Sequence, residues 1–179
     1  MAGIDPKRLK FLDQTNAKTT LTRQYARAPR GQRVREYVPD GRWKSLTLMG
    51  SLGFAGDTTG FVYEGGTDVM AMLTYVEQIL APQLRRGDHV VMDRLSSHLD
   101  PRVGAAVEST GAAVSYLPPY SHDMNPIEQM WSKMKAYLRK VKPRDTENLI
   151  SSIAAALKTV TAQDAANWFA HCGYPTRQS

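Results

Sequence analysis

The order of short apolar segments restricts the fold of this chain more than any other sequence feature. RLKFLD (8–13), WKSLTLMGSLGF (43–54) and FVYEG (61–65) indicate three strands, the last two joined by the turn GDTTG. HVVMD (89–93) and AAVSYL (112–117) indicate two further buried strands. Three strands followed by alternating helices and strands predict an α/β fold with a mixed sheet flanked by helices.

Cap residues and apolar spacing predict the helices that separate and follow these strands. Asp100 and Asn125 each precede a proline, which suits the first position of a helix. The predicted bounds are Thr67 or Asp68 to about Leu84, Asp100–Pro101 to about Ser109 and Asn125–Pro126 to about Lys140, with shorter helices after Asp145 and after Thr161. We find no internal repeat or linker and predict one domain over residues 1–179.

The segment 14–43 is polar, basic and rich in turn-forming residues, with five arginines between Arg23 and Arg35. We predict an extended excursion from the sheet, with one irregular strand around Arg33 to Val38. The whole chain carries 23 Lys and Arg against 17 Asp and Glu, a formal net charge of +6. A basic balance of this kind favours polyanionic partners.

Composition also restricts the cellular setting. No apolar run reaches about eighteen residues, so we predict no transmembrane helix and no membrane partner. The N-terminus lacks the apolar core and cleavage site of a signal peptide. The single cysteine, Cys172, excludes an internal disulfide and a cysteine-built zinc site. We expect Cys172 to be a half-buried small hydrophobe in a protein of the reducing cytoplasm.

Three acids stand where an α/β sheet places its ligands. Asp13 and Asp93 each end a predicted strand, and Glu128 falls in the first turn of a predicted helix. Each acid also has an ordinary structural interpretation. The aspartates could be helix caps or turn residues, and Glu128 could stabilise the positive end of a helix dipole.

Taken together, the three acids suit metal-assisted phosphodiester chemistry. Mg²⁺ prefers hard oxygen ligands and retains several waters, so two or three carboxylates with phosphate oxygens suffice. Two ions roughly 3.5–4 Å apart can activate the attacking oxygen and stabilise the leaving oxygen. Without metal, clustered carboxylates raise one another's pKa, so we expect the site to be loose or partly protonated until metal binds.

Three longer segments resemble a known family: KFLDQT around Asp13, VVMDRLSSH around Asp93, and YLPPYSHDMNPIEQMWSKMK around Glu128. They are similar to DDE-superfamily transposases of bacterial insertion sequences, in the mariner-related IS-six-thirty group. The 34 residues between Asp93 and Glu128 match the spacing of that group. WKSLTLMGSL and the closing NWFAHCGY also resemble family sequence, so the resemblance extends over nearly the whole chain.

The resemblance implies a ribonuclease H-like fold and an enzyme that cleaves and joins DNA strands with two Mg²⁺ or Mn²⁺ ions. By matching motif, Asp13, Asp93 and Glu128 are implied to be the catalytic, metal-binding acids. A metal-activated water would cut the ends of the element, and the freed 3′ hydroxyl would then attack target DNA. The implied partners are transposon ends and target DNA, in the bacterial cytoplasm at the nucleoid.

Insertion-sequence transposases also carry an N-terminal helix-turn-helix region that reads the ends of the element. This sequence begins about a dozen residues before Asp13, so we treat that region as absent from residues 1–179. A separate helix-turn-helix product is one expected partner. A second copy of the chain is another, because mariner-like enzymes often work as dimers.

The sequence departs from the family pattern at three positions. Gln14 stands where a glutamate commonly follows the first acid, Arg94 where an asparagine usually follows the second, and His122 where a proline is common. Two alternatives to a transposase therefore stay open. One is a generic ribonuclease H-like nuclease, and the other is an inactive or domesticated DNA-binding relic.

Three residues near the acids are candidates for supporting roles. His98 has two interpretations. It is a ligand or general base beside Asp93, or it is a polar residue at the N-terminal end of a helix. Asn125 is predicted to cap the helix of Glu128 and so to aim that glutamate. Arg94 either points to the opposite face from Asp93 or contacts a scissile phosphate.

Candidate DNA contacts are basic or aromatic. Arginines between the first two strands could neutralise backbone phosphates, although a solvated basic loop is the alternative interpretation. Tyr120 could stack on a DNA base or simply shape its loop, while Trp131 and Met134 are predicted to belong to the core. The full set of candidate contacts is Arg23, Arg27, Arg30, Arg33, Arg35, Tyr120, Lys133 and Lys135.

Overall fold

The computed structural model describes residues 3–35 and 43–174 and contains a five-stranded mixed sheet. Its strands are β1 (Leu9–Lys18), β2 (Ser45–Gly53), β3 (Thr58–Glu64), β4 (His89–Met92) and β5 (Ala113–Tyr116). The spatial order is β3-β2-β1-β4-β5. β1, β2 and β3 form an antiparallel meander, and β4 and β5 extend the sheet from β1 in parallel. The predicted mixed sheet is confirmed.

In the described part of the chain, five α-helices flank the sheet: α1 (Val69–Tyr75), α2 (Pro101–Glu108), α3 (Ile127–Val141), α4 (Thr146–Leu157) and α5 (Ala162–His171). Four helices begin at positions where the sequence predicts a helix start, and there a cap side chain accepts a hydrogen bond from the first turn. These caps are Asp68, Asp100, Asp145 and Thr161. At α5 the Asp164 side chain also accepts from the Thr161 N–H, which completes a capping box.

The first predicted helix is not one regular helix to Leu84. After α1 the chain continues as a π-helical turn, Val76–Leu80, and then a 3₁₀ turn, Ala81–Gln83. Pro82 has no N–H to donate, and its ring crowds the carbonyl four residues earlier, so a regular α-helix cannot continue. The wider turn lets the Ala81 N–H reach the Val76 carbonyl instead.

Helices cover both faces of the sheet around two hydrophobic clusters. α3, α4 and α5 pack on one face around Phe11, Trp131 and Phe169. α1 and α2 pack on the other face with Leu12 and Met49. Phe11 and Leu12 enter different clusters because successive side chains of a strand point to opposite faces. The core position predicted for Trp131 is confirmed, as is that of Met134.

Two strand predictions need correction. The first strand does not end at Asp13, because β2 pairs with β1 from Lys10 to Lys18 and keeps the chain extended. β3 begins at Thr58, earlier than the predicted residue 61. Residues 21–35 have no regular secondary structure, as expected of the excursion, but the strand around Arg33 to Val38 is absent from 33–35. Its remaining part lies outside the described residues.

Among the helices of the described ranges, none has both the length and the apolar character needed to cross a membrane. Cys172 has a free thiol and is buried in the same hydrophobic cluster as Phe169. It is more deeply buried than the predicted half-buried position.

Candidate active site

Asp13 lies in the middle of the central strand and is only 7% exposed. Its Oδ1 accepts a hydrogen bond from the Gln14 N–H at 2.7 Å, and its Oδ2 accepts one from Asn125 Nδ2 at 3.3 Å. A buried carboxylate needs such donors because no bulk water solvates its charge. Both oxygens are therefore fixed by the protein.

Burial and neighbouring acids disfavour the ionised form of Asp13. Removal from water, opposed by the hydrogen bond from Gln14 and reinforced by the charges of Glu128 and Asp93, raises the pKa of Asp13 to about 7. The negative charges of both other candidate acids therefore act on the Asp13 carboxyl. This agrees with the predicted partial protonation of a carboxylate cluster without metal.

Asp93 follows β4 directly and lies beside Asp13. The parallel register sets Phe11 beside Val91, and two further residues along each chain lead to the two aspartates. His98 Nδ1 is 2.6 Å from Asp93 Oδ1, and the Leu95 N–H donates to the same oxygen at 3.1 Å. The hydrogen bond from His98 lowers the pKa of Asp93, so this acid is ionised where Asp13 is not.

His98 is completely buried, unlike the half-exposed carboxylate that it contacts. Its Nδ1 is also 3.3 Å from the Asp93 carbonyl, and the Tyr116 hydroxyl donates to the His98 carbonyl at 3.1 Å. The His98 backbone is thus held from β5, while the imidazole contacts Asp93. The contact brings His98 next to the site, as a residue that orients Asp93.

Glu128 occupies the first turn of α3, as predicted, and its side chain is 44% exposed. His122 Nδ1 lies 3.6 Å from Glu128 Oε1. His122 is one of the three departures from the family pattern, and it can place a positive charge beside this carboxylate when protonated.

The prediction that Asn125 caps α3 is wrong for its side chain. Pro126 occupies the cap position without a side-chain hydrogen bond, and only the Asn125 carbonyl accepts from the Glu128 N–H, at 3.1 Å. The Asn125 amide instead donates to Asp13, because the buried carboxylate oxygen needs a donor.

Arg94 is exposed, and its guanidinium carbon lies 5.9 Å from the centre of the Tyr116 ring. A cation over an aromatic face at this distance is attracted to the ring. Arg94 therefore stands at the rim of the site, next to β5. Its contact with a phosphate stays a prediction.

The donor chemistry around the three acids fits hard divalent ions. Carboxylate oxygens are the ligands that Mg²⁺ and Mn²⁺ prefer. Two of the side chains that contact these acids each have a buried polar atom without a hydrogen-bond partner: His98 Nε2, beside Asp93, and Asn125 Oδ1, beside Asp13. Within residues 3–35 and 43–174, no three Asp, Glu, His or Cys side chains already form a group that could hold one ion.

The structure does not gather the candidate DNA contacts around the acids. The five arginines of the excursion are exposed, as is Tyr120, whose φ of 61° is in the left-handed region. Lys133 Nζ donates to Asp164 at 2.7 Å and to the Thr159 carbonyl at 2.8 Å. The charge of Lys133 is compensated within the protein by Asp164. Lys135 is half-buried on α3.

Sequence reasoning missed the neighbours of the excursion on α3. Arg23 and Tyr25 line a groove of about 310 Å³ together with Arg139 and Lys140, near the C-terminal end of that helix. A basic face on the same helix as Glu128 could have been found from the run YLRK. Its contact with the excursion could not, because it depends on the tertiary fold.

The fold and the acids at the centre of the sheet define a class of protein, the DDE superfamily endonucleases. The family model of that description matches residues 8–150, and the chain belongs to this family. A comparison with curated protein sequences finds no match.

Solved structures share the fold at low sequence identity. The Mos1 strand transfer complex matches with a TM-score of 0.67 and 14% identity, over 93% of this chain and 51% of that chain. The catalytic domain of Mos1 mariner transposase matches with a TM-score of 0.58 and 12% identity, over 93% of this chain and 76% of that chain. The catalytic core domain of BIV integrase matches with a TM-score of 0.55 and 13% identity, over 94% of this chain and 99% of that chain. The ribonuclease H-like fold is thereby confirmed, and this chain spans about half the length of the Mos1 chain in the strand transfer complex.

Proposed function

We propose that this chain is the catalytic domain of a DNA transposase, which cleaves DNA strands at the ends of an element and joins them to target DNA. The observation that carries the proposal is the buried Asp13 carboxyl in the central strand, on which the charges of Glu128 and Asp93 both act. Membership of the DDE endonuclease family supports the same assignment of catalytic acids.

The three acids would hold two Mg²⁺ or Mn²⁺ ions. When bound, such a pair of ions activates the attacking oxygen and stabilises the leaving oxygen of a phosphodiester. A related fold has been solved as a Mos1 mariner paired end complex with Mn. Asp13 must lose its proton to serve as a ligand, because a metal-binding carboxylate is ionised.

The chain's own residues orient these acids. His98 holds Asp93 from within the core, so that the carboxylate presents its free oxygen outward. The first turn of α3 presents Glu128 at the surface, where a phosphate can approach. Below about pH 7 a protonated Asp13 beside an ionised Asp93 limits the repulsion among the acids of the metal-free site.

The proposed partners are transposon ends and target DNA. The exposed arginines of the excursion and the basic groove beside α3 suit contacts with backbone phosphates. Mos1 transposase, of the same fold, is described in a paired-end complex with a transposon end. A homodimer and a separate helix-turn-helix partner belong to the same proposal.

The experiment compares Mn²⁺-dependent nicking of supercoiled DNA by wild type, by Asp93→Asn and by Glu77→Gln. Asp93→Asn keeps the shape and removes the charge, whereas Glu77 is an exposed acid on the π-helical turn, away from the three acids. We expect nicking by wild type and Glu77→Gln and none by Asp93→Asn. Equal cleavage by all three proteins would refute the site.

A strand-transfer assay separates the transposase from its alternatives. Wild type should join an oligonucleotide with a free 3′ hydroxyl to plasmid DNA in the presence of Mn²⁺. Nicking without joining would favour a generic ribonuclease H-like nuclease. DNA binding without nicking or Mn²⁺ binding would favour a relic.

A further inference from the structure

The buried amide of Asn125 links the loop before α3 to the central strand. Asn125 is only 3% exposed, and its Nδ2 donates to Asp13 Oδ2 across 112 residues of sequence. Its Oδ1 is buried and has no hydrogen-bond partner. A buried amide oxygen without a partner is costly, and a donor beside it would remove that cost.

The backbone of Asn125 is fixed on both sides. Its N–H donates to the His122 carbonyl at 3.1 Å, and its carbonyl accepts from the Glu128 N–H at 3.1 Å. The Tyr174 hydroxyl donates to the adjoining Met124 carbonyl at 3.0 Å. The amide is therefore a fixed bridge between Asp13 on β1 and the helix that carries Glu128.

We propose that Asn125 is a positioning residue for the metal site: its Nδ2 fixes the Asp13 carboxylate, and its Oδ1 accepts from a water on a divalent ion held there. The inference rests on the proposed function. Asparagine suits the role because it supplies a donor and an acceptor without a fourth negative charge. Partners of this kind set the orientation of a metal ligand and contribute to metal affinity.

The test is Mn²⁺ binding to the full chain by calorimetry, for wild type, Asn125→Ala and Asn125→Ser. Neither replacement can reach Asp13 as the amide does. The matched control is Asn16→Ala, which removes an asparagine on β1 whose Oδ1 accepts from the Thr47 hydroxyl. We expect about 10- to 100-fold weaker Mn²⁺ binding for both Asn125 variants. Asn16→Ala should bind Mn²⁺ as wild type does.

A second measurement distinguishes positioning from a general structural role. Nicking by Asn125→Ala should recover as the Mn²⁺ concentration is raised, because the three acids are intact. Nicking by Asp93→Asn should not recover. Failure of Asn125→Ala and Asn125→Ser to recover at saturating Mn²⁺ would overturn the proposal.

The remaining outcomes also decide the matter. Unchanged Mn²⁺ affinity in the Asn125 variants would refute this inference, while nicking by wild type would still support the proposed function. Mn²⁺ binding to wild type that Asp13→Asn does not weaken would overturn both. If neither Asn125 variant folds, as judged by circular dichroism, the residue serves the loop structure and the proposal falls.

Discussion

The burial of Asp13 makes a prediction about stability that can be tested without DNA. In the metal-free protein the pKa of Asp13 is raised from 3.8 to about 7, so the folded state binds this proton more tightly than the unfolded state does. The free energy of unfolding therefore falls as pH rises from about 4 to about 7, and it falls no further above that range. Replacing Asp13 by asparagine removes the ionisation and keeps the shape.

The size of the change in the free energy of unfolding follows from the pKa shift of Asp13. About three pKa units at 1.36 kcal/mol each correspond to about 4 kcal/mol of destabilisation of wild type above pH 7. Between pH 5 and pH 8 only the part from pH 5 to about 7 changes, which is about 3 kcal/mol. In Asp13→Asn the new side-chain amide can still accept from the Gln14 N–H, and Asn125 can turn its own amide to accept instead of donate.

Urea unfolding with a metal chelator, at pH 5 and at pH 8, measures the difference between Asp13→Asn and wild type. The stability advantage of the variant should grow by about 3 kcal/mol between the two pH values. Groups that do not interact with Asp13 titrate alike in both proteins and cancel in this difference. Mn²⁺ at pH 8 should then stabilise wild type and leave the variant unchanged. An advantage that is independent of pH would refute the reasoning.

Three further predictions concern the packing of α3 against the sheet, the turn that precedes α3, and the binding of DNA. Gly50→Ala places a Cβ 2.6 Å from the Trp131 ring and should cost about 1–3 kcal/mol in urea unfolding. The control is Gly66→Ala, whose Cβ would meet nothing within 4 Å; equal stability of the two variants would contradict the packing. Tyr174→Phe removes the hydrogen bond to Met124 and should cost about 1 kcal/mol, with faster amide exchange in the turn before α3. Unchanged exchange there would argue against the tether. DNA affinity, measured by fluorescence anisotropy, should fall steeply with salt and show little sequence preference. Tight binding to one sequence at high salt would contradict that expectation.

The part of the site that could be predicted from sequence follows from local patterns. Asp93 is adjacent to an apolar run, and Glu128 follows a proline that begins a helix, so both positions depend on a few neighbouring residues. The sequence places Asp13 and Asp93 at the ends of two strands and so predicts that they share one edge of the sheet. In the structure only Asp93 follows its strand, and the parallel register of β1 with β4 brings Asp13 towards it from the middle of β1. The mixed sheet follows from the order of the apolar segments.

What the sequence does not reveal depends on distant partners. The length of β1 is set by pairing with β2, whose register extends past Asp13 to Lys18. The Asn125 side chain has the local pattern of a cap, yet its partner lies 112 residues away. Pro82 is visible in the sequence and predicts an interruption, but not that the preceding residues Val76–Leu80 form a π-helical turn.

The unequal environments of Asp13 and Asp93 explain how the metal-free fold tolerates its acids. Asp93 stays ionised because His98 donates to it, whereas Asp13 remains protonated up to about pH 7 because it is buried beside other carboxylates. Binding a divalent ion must therefore displace the proton of Asp13, which couples metal affinity to pH. Mn²⁺ affinity should rise with pH up to about 7 and then level off. The same burial that weakens the metal-free protein thus makes the site respond to the ion that it is proposed to use.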